Sequence, residues 1–345
     1  MKILGIETSC DETSVAVVEN GVSILSNIVS SSLPKHAQTG GIIPEVAARQ
    51  QLTDIIPALN EAFSQSHTNK KQIDAIAVTA GPGLIGSLLV GVETAKTLAT
   101  LWDKPLIPVN HLPAHIYANW ISAKMNNTDL PEFSAISLVV SGGHTDLIKM
   151  ESHSKITWLG STRDDAAGEA FDKTARILGL GYPGGPAIGK NAQEYFDSSP
   201  TYNLDLFPRP IGKENNYDWS FSGLKTSVLR YTQAHPDFEK ELPFLAANIQ
   251  EAIVDVLVSK TLKALDAFKP KSLILAGGVS ANFRLKEKFI QEIKNLNLKV
   301  KFFAPLPALS TDNAAAIASW AYFNQNYKKP FEISVNPELT ILQAV

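Results

Sequence analysis

The sequence predicts an α/β protein made of two halves of similar topology with a cleft between them. Short β-branched apolar runs alternate with longer helical patterns along the chain. A succession of strand, polar turn, strand and further strand opens the chain and restarts near residue 134. The length of 345 residues suits about two domains at roughly 100–200 residues each.

Residues 3–6 form a short apolar run, 8–12 a polar turn, and 14–18 and 22–29 two further runs, which together read as consecutive antiparallel strands. A helical pattern follows over 44–65, a buried strand over 73–78, a helix over 84–102 and a strand over 106–109. The second half opens with strands at 135–140, 146–150 and 156–160, the first two joined by Ser141-Gly142-Gly143-His144-Thr145. Helices are expected over 165–178, 221–231 and 242–268, then a strand at 273–276 and a helix from about residue 280. A strand at 300–303 and a helix over 310–323 end the pattern. Residues 198–219, rich in Pro, Asn and aromatic residues, form the longest irregular stretch. The expected domains are 1–109, with 325–345 packing back on it, and 110–324.

Composition narrows the function classes. Hydrophobic residues make up 44% and charged ones 19%, which is globular rather than disordered. The single cysteine, Cys10, excludes an intramolecular disulfide and a four-cysteine zinc site, and fits a reducing compartment. A formal charge of −3 means that nucleic acid would need a local basic patch or a partner. Glu7 and Asp11 break the N-terminal apolar run before a signal peptide could form, and Glu93 and Lys96 interrupt residues 84–102. A soluble, cytoplasmic protein without a membrane span is expected.

Asn110 suits a helix N-cap, and Pro113 is tolerated in the first turn that follows. His111 and His115 then stand four apart on one face, which is half of a metal site or a pair of surface and capping histidines. A zincin protease needs Glu directly after the first His, and Leu112 stands there. The glycines of 141–143 and 277–282 follow strands, where they make either tight turns or a backbone approach to a nucleotide. Neither loop ends in Gly-Lys-Ser/Thr, so neither is a P-loop. The loop 181–186 is either another close-approach loop or a turn between helices. Acidic residues at 164–172 suit a helix start, with Asp172 nearer an apolar face; Ser310 or Thr311 is a candidate cap before Asp312.

Residues 5–13, His111 with His115, 139–145, 165–173, 182–186, 221–226, 277–282 and 310–314 together resemble the bacterial TsaD family. These are the tRNA threonylcarbamoyl transferases of the actin-like ATPase (ASKHA) superfamily, formerly described as O-sialoglycoprotein endopeptidases. The resemblance spans nearly the whole chain. It implies two actin-like domains and one divalent metal, iron or zinc, held by His111, His115 and Asp312. It implies that Val139, Val140, Ser141, Gly142, Gly143, Asp172, Gly185 and Asn282 contact an ATP- or adenylate-type nucleotide. Gly189 departs from the family, which commonly carries an Asp there for the ribose. The implied reaction moves the threonylcarbamoyl group from threonylcarbamoyl-adenylate, made by a separate synthase, to the adenosine 3′ of the anticodon in tRNAs reading codons that start with A. Asp11 is a candidate to accept the amine proton. TsaB-like and TsaE-like partners are implied. The rivals are an actin-like ATPase or small-molecule kinase, a metalloprotease, and a non-catalytic scaffold; this last reading fails on the two histidines, which TsaB-like chains lack.

Overall fold

Strands β1 (Lys2–Glu7), β2 (Glu12–Glu19) and β3 (Ser23–Ser31) form the expected antiparallel meander. Helix α1 (Pro44–Ser66) then leads to β4 (Ala75–Gly81), α2 (Ile85–Trp102), β5 (Leu106–Asn110) and α3 (His111–Met125). β4 lies parallel to β1 and β5 parallel to β4, giving the order β3-β2-β1-β4-β5. Alternate side chains of a strand face opposite ways, and the two faces have separate cores. Leu4, Ile6, Val15, Val17, Ile76 and Val78 pack with α1 and α2 residues such as Ile55 and Val92. Ile3, Ala16, Val18, Ala75 and Ala77 pack with α3 through Ala114, Ala118 and Ile121. The computed structural model describes residues 1–33, 36, 41–198, 204–210, 214–343 and 345.

The second sheet holds β6 (Ala135–Val140), β7 (Thr145–Met150), β8 (Ile156–Ser161), β9 (Ser272–Ala276) and β10 (Lys301–Phe303) in the order β10-β9-β6-β7-β8. Taken from β8, that order repeats the first sheet position for position. β6 is antiparallel to β7 and parallel to β9, as β1 is to β2 and β4. Its helices are α4 (Ala167–Ile177), α5 (Gly184–Ser198), α6 (Ser222–Ala234), α7 (Leu242–Phe268) and α8 (Phe283–Asn295). The sequence pattern missed α5, because Gly184, Gly185 and Pro186 at its start look like a loop. Residues Phe238–Phe268 are long and apolar enough to cross a membrane, but they are mostly buried within the fold and form a core helix. Of the irregular stretch 198–219, residues 199–203 and 211–213 lie outside the described residues.

After β10 the chain returns to the first sheet. The helix expected over 310–323 is two pieces, α9 (Pro307–Ser310) and α10 (Ala314–Asn324). Neither Ser310 nor Thr311 caps α10. Asn313 does, its side-chain oxygen accepting from Ala316 N at 3.0 Å. Asp312 therefore precedes the cap instead of sitting in the first turn. α10 approaches β1 closely enough that a Cβ on Gly5 would stand 2.3 Å from the Ala314 carbonyl oxygen.

The compact units are Met1–Pro131 with Ser152–Ile156 and Pro305–Val345, and Glu132–Glu151 with Thr157–Ala304. These divisions replace the expected 1–109 and 110–324. The reason is apolar: α3 and α10 both seal the first sheet, so both histidines and Asp312 belong to the first unit.

Gly5→Ala should lower unfolding free energy by about 1–3 kcal/mol, because the added methyl meets backbone that cannot swing aside. Denaturant melts of the two proteins check this.

Candidate metal centre and nucleotide loops

Helix α3 starts as its sequence requires. Asn110 caps it through Leu112 N at 3.1 Å, placing His111 in the first turn and His115 one turn on. The two imidazoles stand edge to face, with ring centroids 4.4 Å apart and Nε2 atoms 2.9 Å apart. Asp312 Oδ1 lies 3.4 Å from each Nε2. Asn313 fixes the turn that carries Asp312, its amide donating to the Thr311 carbonyl at 2.7 Å and to the Leu309 carbonyl at 3.2 Å. Three ligand atoms thus converge within 4.8 Å of one another. Ligands bound at about 2.0–2.1 Å to one tetrahedral centre stand about 3.3–3.4 Å apart. Two of the three separations match, and the third is slightly shorter. A two-His, one-carboxylate set also leaves positions open for a substrate. The donors therefore fit a single divalent metal.

Behind His111 stands a residue that the sequence showed within the 5–13 resemblance but to which it assigned no role at the site. Glu7, 1% exposed at the end of β1, places Oε2 at 3.0 Å from His111 Nδ1. Thr79 Oγ1 donates to the same oxygen at 2.5 Å, and Ser9 N donates to Oε1 at 2.5 Å. Burial opposes ionisation of both partners. The attraction of His111 nevertheless holds the Glu7 carboxyl below its ordinary value, and Glu7 with Asp312 raises the His111 imidazole well above its own. A carboxylate on Nδ1 holds a proton there, so that in the neutral imidazole, the form that binds a metal, the Nε2 lone pair faces Asp312 and His115. The sequence signal was present: an acid closing an otherwise apolar strand.

Asp11 and Glu12 follow β1. The Asp11 carbonyl accepts from Ser32 N at 3.0 Å and Ser32 Oγ at 2.8 Å. Burial first, then Asp312 and a hydrogen bond with Asp11, push the Glu12 carboxyl up to about 10, so it is protonated at neutral pH. Burial and the neighbouring carboxylates likewise push the Cys10 thiol far up, which removes it as a nucleophile.

In the second unit, Val139 and Val140 end β6, and Ser141, Gly142 and Gly143 form its turn into β7. The start of α4 lies against this turn, with Gly168 N donating to the Ser141 carbonyl at 3.2 Å. Gly277, at φ +82, crosses so near that a Cβ would stand 2.4 Å from the Val140 carbonyl oxygen. By contrast, a Cβ on Gly142, Gly143 or Gly185 would meet nothing within 4 Å. Asp172 accepts from Gly184 N at 2.7 Å, and burial raises its carboxyl above the ordinary value. Asn282 caps α8 through Leu285 N at 3.0 Å and donates to Gln250 Oε1 at 2.9 Å. A Cβ on Gly189 would stand 3.6 Å from that same Gln250 oxygen. The expected nucleotide residues therefore all belong to one unit, and the expected metal ligands, with Asp11, to the other.

A family model described as TsaD, tRNA N6-adenosine threonylcarbamoyltransferase, matches residues 23–319. The chain belongs to the TsaD family. Among TsaD relatives, the tRNA N6-adenosine threonylcarbamoyltransferase of Dehalococcoides mccartyi strain BAV1 is 47% identical over 343 residues, covering 99% of each chain. That of Thermomicrobium roseum is 45% identical over 366 residues, covering 99% of this chain and 97% of the relative. Among solved structures, full-length HypF in its phosphate- and nucleotide-bound form gives a TM-score of 0.58 at 13% identity, covering 95% of this chain and 56% of HypF. Component A of the Acidaminococcus fermentans (R)-2-hydroxyglutaryl-CoA dehydratase gives 0.52 at 14% identity, covering 93% and 98%. These two likenesses concern the fold, and they agree with the actin-like architecture expected of a TsaD chain.

Glu7→Gln should weaken divalent-metal binding about 10–100-fold, measured by competition with a chromophoric chelator. Glu7→Ala should also cost stability, because the Thr79 hydroxyl and Ser9 N–H lose their acceptor at about 1–3 kcal/mol for each buried group.

Proposed function

We propose that this chain transfers the threonylcarbamoyl group from threonylcarbamoyl-adenylate to N6 of the adenosine 3′ of the anticodon in tRNAs reading codons that start with A. The products are threonylcarbamoyladenosine and AMP. The observation that carries this reading is identity of 45% or more, over almost the full length, to transferases of that name. The convergence of His111, His115 and Asp312 supports it.

In this reaction N6 attacks the carbamoyl carbon of a mixed anhydride. The bond from that carbon to the phosphate oxygen breaks, and the amine loses a proton. His111, His115 and Asp312 would hold one iron or zinc ion, whose chemistry when bound is to polarise a carbonyl or orient substrate. Glu7 keeps the His111 tautomer that such binding needs. The backbone N–H groups of Gly142 and Gly143, beside the α4 N-terminus, favour the departing phosphate. Val139, Val140, Ser141, Asp172, Gly185, Gly189 and Asn282 complete the nucleotide side, with Gly189 offering no side chain to the ribose. Asp11 is the candidate proton acceptor.

A TsaB-like paralogue and a TsaE-like ATPase would assemble with the chain, which would work in the cytoplasm. Leu52 and Ile56 on α1, with Ile85 and Leu89 on α2, are exposed apolar residues one turn apart on neighbouring helices, which supports docking of a partner there. The net charge of −3 supports shared tRNA binding.

The test is mass spectrometry of tRNA nucleosides after incubation with partners, threonylcarbamoyl-adenylate and unmodified tRNA. Threonylcarbamoyladenosine should form with the natural chain and be lost with His111→Ala and Asp312→Ala. Absence of product with the natural chain, folded and metal-loaded, would favour the kinase or ATPase reading. Gly142→Ala separates function from folding: its methyl meets no protein atom, so thermal stability should hold while KM for the adenylate rises.

A further inference from the structure

We infer that the C-terminal tail, residues 336–343, is a positioning element of the metal centre and acts through Asn110. The inference rests on reading His111, His115 and Asp312 as metal ligands. Asn110 has two jobs at once. Its Oδ1 caps α3 at Leu112 N, while its Nδ2 donates to the Thr340 carbonyl at 2.8 Å and the Gln343 carbonyl at 3.0 Å. The residue next to the first ligand is thereby tied to chain some 230 positions away. The tail is firmly seated: Leu339 and Ile341 are each 5% exposed, and Asn336 N donates to the Ala80 carbonyl at 2.8 Å. Its turn is closed on itself by Thr340 N donating to Gln343 Oε1 at 2.7 Å and Gln343 N to the Thr340 carbonyl at 3.1 Å.

A second route runs from the tail to the same imidazole. Gly83 N donates to the Pro337 carbonyl at 3.3 Å, Leu84 N donates to the Ser9 carbonyl at 2.8 Å, and Ser9 Oγ lies 3.3 Å from His111 Nδ1. Both routes fix the start of α3 and the Nδ1 side of His111. A cap alone would hold the helix end but leave the angle of its first turn to be set elsewhere. The two tail carbonyls set it.

Asn110→Ser separates the two jobs, because Ser caps a helix as well as Asn and brings no charge into the buried site, but is too short to donate to the tail carbonyls. Gln343→Ala loosens the tail turn without touching α3. Zn²⁺ affinity is measured by chelator competition, the Co²⁺ form by its visible spectrum, and the chelated proteins by thermal unfolding. Both variants should bind Zn²⁺ about ten-fold or more weakly and show an altered Co²⁺ spectrum, with the unfolding midpoint after chelation unchanged. Natural affinity and spectrum in both variants would overturn the inference. A loss of affinity matched by a fall in the chelated protein's stability would also overturn it, leaving the tail a structural element alone. Failure of the natural protein to bind either ion would overturn the metal reading itself, and this inference with it.

Discussion

A carboxylate buried at the end of a strand is the constraint around which the first unit is arranged. Glu7 is 1% exposed and charged, and an ion taken from water without partners costs several kcal/mol. Three donors offset that cost: Thr79 from β4, Ser9 from the turn after β1, and His111 from α3. Each must arrive in register, so one side chain fixes the relation of β1, β4 and α3. The same bonds leave His111 with its Nε2 turned toward Asp312. Solving the desolvation problem of Glu7 and orienting the His111 imidazole are one act of folding.

Close packing completes the arrangement from the opposite side. Asp312 reaches the histidines because α10 starts directly over β1, and the missing side chain of Gly5 allows it. Ala314 N donates to Ser14 Oγ at 2.9 Å, which ties the first residue of α10 to β2. Ala315, Ala316 and Ala318 continue the contact with small side chains. Larger residues at these positions would hold the helix away from the sheet and carry Asp312 with it.

Much of this was legible in the sequence, and what was missed has physical causes. Short apolar runs bounded by turn residues marked nine of the ten strands to within two residues, and β4, expected over 73–78, runs three residues further to Gly81, because strands covered on both faces bury nearly every side chain. The Asn110 cap and the i, i+4 histidines were plain for the same local reason. The start of α10 was not, since Ser310, Thr311 and Asn313 are all good caps and only long-range packing chooses Asn313. Nor was the domain boundary, because which sheet α3 covers depends on α10, nearly 190 residues later. Glu7 was visible as an acid in an apolar strand, but its partner His111 is 104 positions away. Local pattern reports elements; it does not report which of them meet.

The repeated sheet order makes this division clear. The β1–β2 and β6–β7 turns occupy the same place in two sheets of the same topology. One is crowded with Glu7, Ser9, Asp11 and Glu12, and the other is reduced at its tip to Gly142 and Gly143. A fold used twice has been given charge and hydrogen-bonding side chains once and bare backbone once. The chain path adds a further condition. The second unit is inserted between α3 and α9, so Asp312 and the tail reach the first unit only after residues 157–304 have been traversed. Bringing the two ends of the insertion together costs entropy, though that cost rises only slowly with the length between them. A metal bound by residues on both sides of the insertion would offset that cost by favouring the closed state. The first sheet lacks α10 over one face until the return, so the centre and the core that supports it are completed together.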